Sequence, residues 1–407
     1  MMAALAARRC GGGAPGAQRE AGPQLYITGK GRCNLTNNTT PEGVLAHVTR
    51  NGRFLYSAVT RFPPAAVMEY FEALGVPLKT ERGGRVFPCS DRAADVIDAL
   101  FFALKKEGVV LRRGKAEELR LAQGRVVGVS LGEESLPAGA VILATGGLSY
   151  PATGSTGDGY RLAQSAGHTI VPPTPSLVPL EEAGDTCAQM QGLSLKNVTL
   201  TLKNQKKKVV FQEQGEMLFT HFGLSGPLVL SASAHANWSR DTYTAVLDLK
   251  PALEEEKLEA RILRDIAQAP NKAFHNFLEG LLPRRMVPVM GARVDIAPDL
   301  PVNALTKAQR RRLVEAMKHF ALPLAGPRPI REAIVTAGGV KTGEVDPGPM
   351  MSKKTAGLFF AGEILDLDAY TGASTSRLPG APAGQRERAR PDTARRNGNE
   401  TLSQHCH

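Results

Sequence analysis

Apolar positions in the first part of the chain alternate between helical spacing and short runs. Residues 63–75 and 91–106 place their apolar side chains on one helical face, whereas residues 109–131 alternate like consecutive short strands. Residues 140–147 predict a buried strand that enters a glycine turn, and a further helix runs from Asp158 to Gly167. This succession of strands and helices predicts an α/β fold.

The pattern changes after a proline-rich segment at residues 172–180, which we interpret as a crossing between domains. Residues 197–203 and 244–250 alternate apolar and polar positions with period two, as in a small antiparallel barrel. Residues 254–318 return to helical spacing and predict a helical insert within that barrel. The α/β-type pattern of the first part of the chain returns near residue 331, so the α/β domain is predicted to be discontinuous.

The residues near both ends of the chain have a different composition. Residues 10–23 lack periodicity and are interpreted as loop or disorder. Residues 373–407 contain almost no large apolar side chain, so they cannot bury enough surface to order themselves. The predicted segments are therefore 1–185 (α/β domain, first part), 186–253 (barrel, first part), 254–320 (helical insert), 321–335 (barrel return), 336–372 (α/β domain, second part) and 373–407 (disordered tail).

The composition excludes several classes of protein. No apolar run approaches the roughly 20 residues of a membrane span, so we expect a protein that does not enter the membrane. Five cysteines without a CxxC argue against a disulfide framework and a zinc site, and favour the cytoplasm. The net charge is +11, but +2 comes from residues 1–24 and +3 from residues 373–407. With only 5% aromatic residues, no nucleic-acid partner is predicted.

The strongest motif follows the buried strand of residues 140–147. It comprises Ala144, Thr145, Gly146 and Gly147, and glycine there allows the backbone to approach a ligand. Gly157-Asp158-Gly159 then opens a helix, whose free N–H groups suit an anionic cofactor. A turn that merely needs glycine is the alternative, and the two motifs at this spacing favour a cofactor site over it.

A second motif is the strand at residues 357–363, which ends in an acid. In open α/β sheets, ligands bind at the carboxyl ends of strands, and Gly362 lies there. Glu363 or Asp366 could accept a hydrogen bond from a sugar-like hydroxyl chain. The equally weighted alternative is a solvent-facing acid that caps a loop.

A third motif is glycine-rich and consists of Thr28, Gly29, Lys30, Gly31, Arg32, Cys33 and Asn34. Its backbone N–H groups could face an electron-poor flavin ring, and the Arg32 cation would stabilise the reduced, anionic ring. A structural ion pair is the alternative for Arg32. For Cys33 we favour a small buried filler over a redox thiol, because no partner cysteine lies near it in sequence.

The segments ITGKGRCNLTN, ATGGLSYPATGSTGDGY, MLFTHFGLSGP, AIVTAGGV and GLFFAGEILDLDAYTG occur in this order. Together they resemble the BaiN/YhiN-type NAD(P)/FAD-dependent oxidoreductases, the aminoacetone-oxidase-like flavoproteins, from about Leu25 to Gly372. The resemblance implies a glutathione-reductase-like FAD domain of Rossmann type, here incomplete. It also implies an inserted antiparallel barrel resembling that of translation factors, which carries a small helical insert.

The resemblance also implies roles for the motifs. Residues 28–34 would lie near the flavin, and residues 144–147 near the adenosine half of FAD. Gly362, Glu363 and Asp366 would lie near the ribityl and pyrophosphate groups. FAD would take a hydride from NAD(P)H and pass it to a small organic substrate or to dioxygen. Arg32 and His221 are the catalytic candidates, His221 for proton delivery, although a histidine in this setting is more often a packed barrel residue.

The chain departs from the family pattern at three places. Met1 falls inside the helix that follows the family's first glycine-rich turn, residues 10–23 replace a strand ending in a ribose-binding acid, and residues from Ala373 replace a glycine-led helix. We interpret these departures as a late start codon and two local reading-frame shifts. Two alternatives therefore stay open: a flavoprotein remnant with an incomplete FAD site, and a nucleic-acid-binding protein that uses the Arg-rich tail. The substrate, the choice of NADH or NADPH and the oligomeric state are not determined by the sequence.

Overall fold

The computed structural model describes residues 1–9, 25, 29, 31–112 and 114–369 of the 407-residue chain. The interpretations of residues 10–23 and 373–407 lie outside the described residues, as do Thr28, Lys30 and residues 370–372.

The α/β part has helices in its first 165 residues. They are α1 (Met2–Arg9), α2 (Pro41–Ala46), α3 (Gly52–Arg61), α4 (Pro64–Ala73), α5 (Ala93–Lys106) and α6 (Asp158–Ser165). The predicted helices at 63–75 and 91–106 correspond to α4 and α5. Both carry an apolar face into one cluster, which includes Val67 and Phe71 of α4 and Val96 and Leu100 of α5.

Strands of the α/β part form several small sheets. They are β1 (Thr36–Asn37), β2 (Val48–Arg50), β3 (Leu78–Thr80), β4 (Arg85–Pro88), β5 (Glu118–Ala122), β6 (Arg125–Leu131), β7 (Glu134–Pro137), β8 (Val141–Leu143) and β9 (Ile170–Ser176). After the barrel follow β16 (Val335–Val340), β17 (Val345–Asp346), β18 (Met351–Ser352), β19 (Leu358–Phe360) and β20 (Asp368–Ala369). The sheet orders are β1-β4-β3, β5-β6-β7, β17-β18-β19-β8, β16-β9 and β2-β20.

A closed barrel lies between β9 and β16 along the chain. Its strands are β10 (Leu180–Glu182), β11 (Ser194–Asn204), β12 (Val209–Phe219), β13 (Gly223–Ser225), β14 (Tyr243–Asp248) and β15 (Phe320–Pro327). They pair antiparallel in the order β10-β13-β12-β11-β14-β15. The antiparallel barrel expected from the period-two alternation is therefore present.

Helices also accompany the barrel strands. α7 (Thr186–Gln189) and α8 (Pro227–Ser233) connect strands, and α9 (Glu255–Gln268), α10 (Phe274–Glu279), α11 (Val287–Val294) and α12 (Lys307–Lys318) lie between β14 and β15 in the chain. Thr306 accepts a hydrogen bond from the Gln309 amide and caps α12. Leu258 of α9 and Leu313 of α12 join the same apolar cluster as the barrel side chains of Leu202 and Phe320.

The boundary expected at residue 186 is wrong, because residues 180–182 form barrel strand β10. The proline-rich segment is also more regular than expected. Residues 170–176 form β9, which pairs antiparallel with β16 and ties the two parts of the α/β domain together. Three prolines fit in β9 because it belongs to a two-stranded sheet, whose open edge needs no N–H donors.

No helix among the described residues is long and apolar enough to cross a bilayer.

Candidate functional site

Two strands of the α/β part end side by side. β8 and β19 pair in parallel, with Leu143 opposite Phe360, so both carboxyl ends lie at one edge of the sheet. The Ala361 amide donates to the Leu143 carbonyl at 3.0 Å. The turn after β8 therefore leaves the sheet beside Gly362, and Ala144 and Thr145 are exposed there. This edge has the geometry at which open α/β sheets bind ligands.

The glycines of the β8 turn are needed for packing inside the protein. Gly146 has a φ of +74°, and a Cβ on it would lie 2.8 Å from the Ser155 hydroxyl. A Cβ on Gly147 would collide with the Thr336 side chain and approach Glu363. The plainer interpretation, a turn that needs glycine for its own packing, thus accounts for these two residues.

Thr336 of β16 connects the two predicted turns. Its hydroxyl oxygen accepts hydrogen bonds from the backbone amides of Leu148, at 2.8 Å, and Ser149, at 3.0 Å. Its own amide donates to Glu363 Oε1 at 2.6 Å. The structure therefore brings residues 144–147 and 362–366 together, as expected for one site.

The acids after β19 are buried, so the alternative of a solvent-facing acid is wrong for both Glu363 and Asp366. Asp366 lies 3.3 Å from the Arg50 guanidinium and accepts from the Asn51 side chain at 3.0 Å. Gly362 has a φ of +80°, and the space around its Cβ position is open. The conformation rather than crowding therefore requires glycine at 362.

Two further groups at this site were not predicted from the sequence. Asp368 is buried in β20, where the Ser176 hydroxyl donates to its Oδ2 at 2.9 Å, and burial raises the pKa of its carboxyl to about 6. Burial, followed by the charges of Glu363 and Asp366, raises the pKa of Tyr160. The succession of acids in GEILDLD was the available signal for Asp368, whereas nothing local distinguishes Tyr160.

The helix end at Gly157 does not support the expected anion site. Asp158 occupies the first turn of α6 and places a carboxylate at the positive end of the helix. The Thr156 hydroxyl donates to it at 2.7 Å, and Lys115 lies 3.2 Å away. These two contacts lower the pKa of Asp158, the hydroxyl contributing most. The negative charge that the N-terminus of α6 favours is therefore supplied by the protein's own Asp158.

The described part of the third motif packs elsewhere. Arg32 lies 2.8 Å from Glu81 and 3.3 Å from Asp91, and its guanidinium stacks 4.1 Å from the Phe87 ring centroid. The structural ion pair weighed for Arg32 is thus formed. None of the contacts described for Gly29 and residues 31–34 reaches the turns at 144–147 or 362–366.

The other residues of this motif support the same loop. Cys33 is fully buried with Leu35 in the core that contains α4 and α5, as expected for a filler. The Ala93 amide donates to the Gly31 carbonyl at 3.2 Å. The Asn34 amide nitrogen, oriented to satisfy its neighbours, donates to the Val86 and Thr36 carbonyls at 3.1 and 2.9 Å.

His221 lies in the turn between β12 and β13 on the barrel, where it is exposed. Its ring packs edge-on against Phe222 with centroids 5.1 Å apart, and Phe222 in turn lies under Arg328. No contact described for His221 joins it to the strand ends. Within the described residues, no group of His, Cys, Asp and Glu side chains could hold a metal ion.

Comparison with known proteins finds relatives that match most of the length of this chain. A 3-dehydro-bile acid delta(4,6)-reductase from Clostridium scindens is 31% identical over 95% of this chain and 97% of its own length. Ribosomal RNA dihydrouridine synthases from Escherichia coli and Haemophilus influenzae are each 30% identical over 87% of this chain, and over 85% and 86% of theirs. A solved oxidoreductase from Methanosarcina mazei is 12% identical over 90% of this chain and 72% of its own, with a TM-score of 0.21, from which we draw no structural conclusion.

The family model described as the HI0933-like protein Rossmann domain matches residues 1–374. The Rossmann-type domain and the closed six-stranded barrel agree with this match. The resemblance inferred from the motifs is thereby confirmed, and the chain belongs to the HI0933-like Rossmann family of BaiN/YhiN-type flavoproteins.

Proposed function

We propose that this chain is an FAD-dependent oxidoreductase that moves a hydride from NAD(P)H to a small organic substrate. Membership of a flavoprotein family and a relative named as a reductase support the proposal. The observation that carries it is the shared edge of β8 and β19, where two glycine-containing turns leave adjacent parallel strands. The proposal includes the glutathione-reductase-like arrangement of the FAD domain and the role of α9–α12 as a helical insert.

The described residues at this edge fit a dinucleotide cofactor. The exposed Ala144 and Thr145 offer backbone at the end of β8, and the open space beside Gly362 leaves the end of β19 accessible. In our proposal these turns hold FAD, with Glu363 and Asp366 toward its hydroxyl chain. The flavin supplies the hydride chemistry, and the protein supplies position and charge.

The protein's own groups would then set the electrostatics around the cofactor. Asp366 is held by Arg50 and Asn51, so its carboxylate direction is determined before a ligand arrives. Glu363 is oriented by the Thr336 amide. We retain Arg32 as the cation near the flavin and His221 as the proton donor, both as predictions.

The relatives suggest a class of substrate. A delta(4,6)-reductase acts on ring double bonds, and dihydrouridine is uridine with two hydrogens added. We therefore propose a substrate with a carbon–carbon double bond conjugated to a carbonyl. One carbon gains the hydride, the other gains a proton, and NAD(P)H becomes NAD(P)⁺.

We propose a small molecule rather than RNA as the substrate. The hairpin between β11 and β12 exposes Lys206, Lys207 and Lys208. We interpret this lysine run as an ordinary solvated turn and not as an RNA-binding surface. The dihydrouridine synthases among the relatives make ribosomal RNA the second candidate. We also propose a cytoplasmic location, which the absence of disulfides among the described residues supports.

A visible spectrum tests the cofactor proposal directly. We expect flavin absorption bands in the purified protein or after addition of FAD, and a weaker complex in Gly362→Val, where the branched side chain would fill the open space. Gly139→Ala is the matched control, because Gly139 is exposed and its Cβ position is also open. A colourless protein that gains no bands with FAD would favour the remnant.

Turnover then identifies the substrate. NADH and NADPH oxidation is followed with a conjugated steroid enone, with uridine and with unmodified ribosomal RNA. We expect oxidation with the enone, and oxidation with RNA alone would instead support the second candidate.

A further inference from the structure

Asp368 is a buried acid whose two carboxylate oxygens have different surroundings. Its carboxyl group is buried, and its Oδ1 atom has no hydrogen-bond partner within the described part of the chain. The Ser176 hydroxyl contacts only Oδ2. An ionised carboxylate in such a position is costly because burial removes water without supplying a full set of donors.

Arg50, the cation that the strand register places opposite Asp368, contacts a different acid. Arg50 lies opposite Asp368 in the β2–β20 pair, yet its guanidinium contacts Asp366. Arg50 on β2 is thus the charged group that acts on Asp368, and the acids Glu363 and Asp366 precede it on the loop from β19. Tyr160 on α6 lies near those two acids, and β9 contributes the neutral Ser176.

From this geometry we infer that Asp368 takes up the proton that compensates the charge added when a flavin at the β8–β19 edge is reduced. The inference rests on the proposed FAD site. A hydride carries two electrons and one proton, so its transfer from NAD(P)H adds one negative charge to the site and leaves NAD(P)⁺. An O–H bond then forms on the Asp368 carboxylate with a proton from solvent, and the proton leaves again on reoxidation.

The pKa of Asp368 lies close enough to neutral pH for its carboxylate to take up a proton there. Burial raises the pKa of its carboxyl to about 6, while Ser176, Arg50, the Ala369 backbone and Thr49 act in the opposite direction. Below pH 6 the group is already protonated in both redox states, and no additional proton is taken up. Above pH 6, a negative charge nearby favours uptake of one proton for every two electrons.

The reduction potential of the bound FAD, measured against pH from 5 to 8, tests the inference. One additional proton per two electrons steepens the decline by about 30 mV per pH unit. We expect the curves of wild type and Asp368→Asn to be parallel below pH 6 and to diverge above it. Asp241→Asn, which removes a half-buried carboxylate beside the barrel strand β14, should follow wild type throughout.

Ser176→Ala provides a second variant in case Asp368→Asn folds poorly. It removes a hydrogen bond to the ionised form, so the bend in the curve should move to higher pH. Parallel wild-type and Asp368→Asn curves, or an unmoved bend in Ser176→Ala, overturn the inference while leaving the FAD site intact. A protein that binds no FAD overturns both the proposed function and the inference.

Discussion

The Thr336 amide donates to Glu363 Oε1 at 2.6 Å, across 27 residues of sequence. The Thr336 hydroxyl also accepts hydrogen bonds from two backbone amides of the turn after β8. The contact between Thr336 and Glu363 therefore determines how the ends of the parallel strands β8 and β19 face each other. The site is therefore organised by a residue of β16, which belongs to neither strand.

We predict that Thr336→Val destabilises the protein by about 3 kcal/mol, because the amides of Leu148 and Ser149 lose their acceptor in a poorly hydrated place. Urea unfolding measures the loss. Thr336→Ser keeps the hydroxyl and should stay within about 1 kcal/mol of wild type. A loss in Thr336→Ser that exceeds the loss in Thr336→Val would show that the methyl packing, and not the hydrogen bonds, carries the effect.

Glycine substitutions should separate crowding from backbone conformation. Gly147→Ala places a methyl group against Thr336 and Glu363, and we expect a loss of about 2–3 kcal/mol. Gly362→Ala has space but a positive φ, and should lose about 1 kcal/mol. Gly139→Ala has neither problem. Thermal unfolding that ranks Gly362→Ala below Gly147→Ala in stability would contradict this order.

Asp368 should make stability decline with rising pH. Its pKa is raised in the folded state, so its stabilising effect is fully present below the unfolded value near 3.8 and is lost as the pH rises through about 6. A shift of about two units corresponds to about 3 kcal/mol. We expect Asp368→Asn, which never ionises, to gain stability relative to wild type as the pH rises from about 4 to about 6.5, measured by urea unfolding without added FAD. A constant difference across that range would contradict the raised pKa.

His168 should have the opposite effect on the pH dependence. It is buried, its Nε2 lies 2.7 Å from the Ser352 hydroxyl, and burial lowers its pKa despite Glu344 at 3.4 Å from Nδ1. The stability from the neutral ring is present above the unfolded pKa near 6.5 and is lost as the pH falls through the lower folded value. His168→Gln should therefore flatten the decline in unfolding free energy between pH 7 and pH 5. His319→Gln, at an exposed site, is the control and should leave the decline unchanged.

The two interpretations of Arg32 lead to different results. As an ion pair, Arg32→Met and Glu81→Gln should each change stability by about 1 kcal/mol or less and should not be additive. As a cation near the flavin, Arg32→Met should also lower the reduction potential of bound FAD, while Glu81→Gln should not. A double-mutant cycle combined with potentiometry decides between them.

Part of the local structure could be predicted because it depends on neighbours in sequence. The helices at 63–75 and 91–106 and the period-two barrel strands follow from spacing and side-chain type. The strand β10 could not be found in this way, since three residues carry no period and only pairing with β13 and β15 defines them.

Sequence by itself thus determined several helices and barrel strands, the family and the two glycine turns that meet. Only the tertiary structure decided which acids are buried and what they touch. Asp368 meets Ser176 across 192 residues, and Arg32 meets Glu81 across 49. Periodicity records how a side chain points relative to its own backbone, whereas the charge state of a carboxyl group depends on which distant segments exclude water from it.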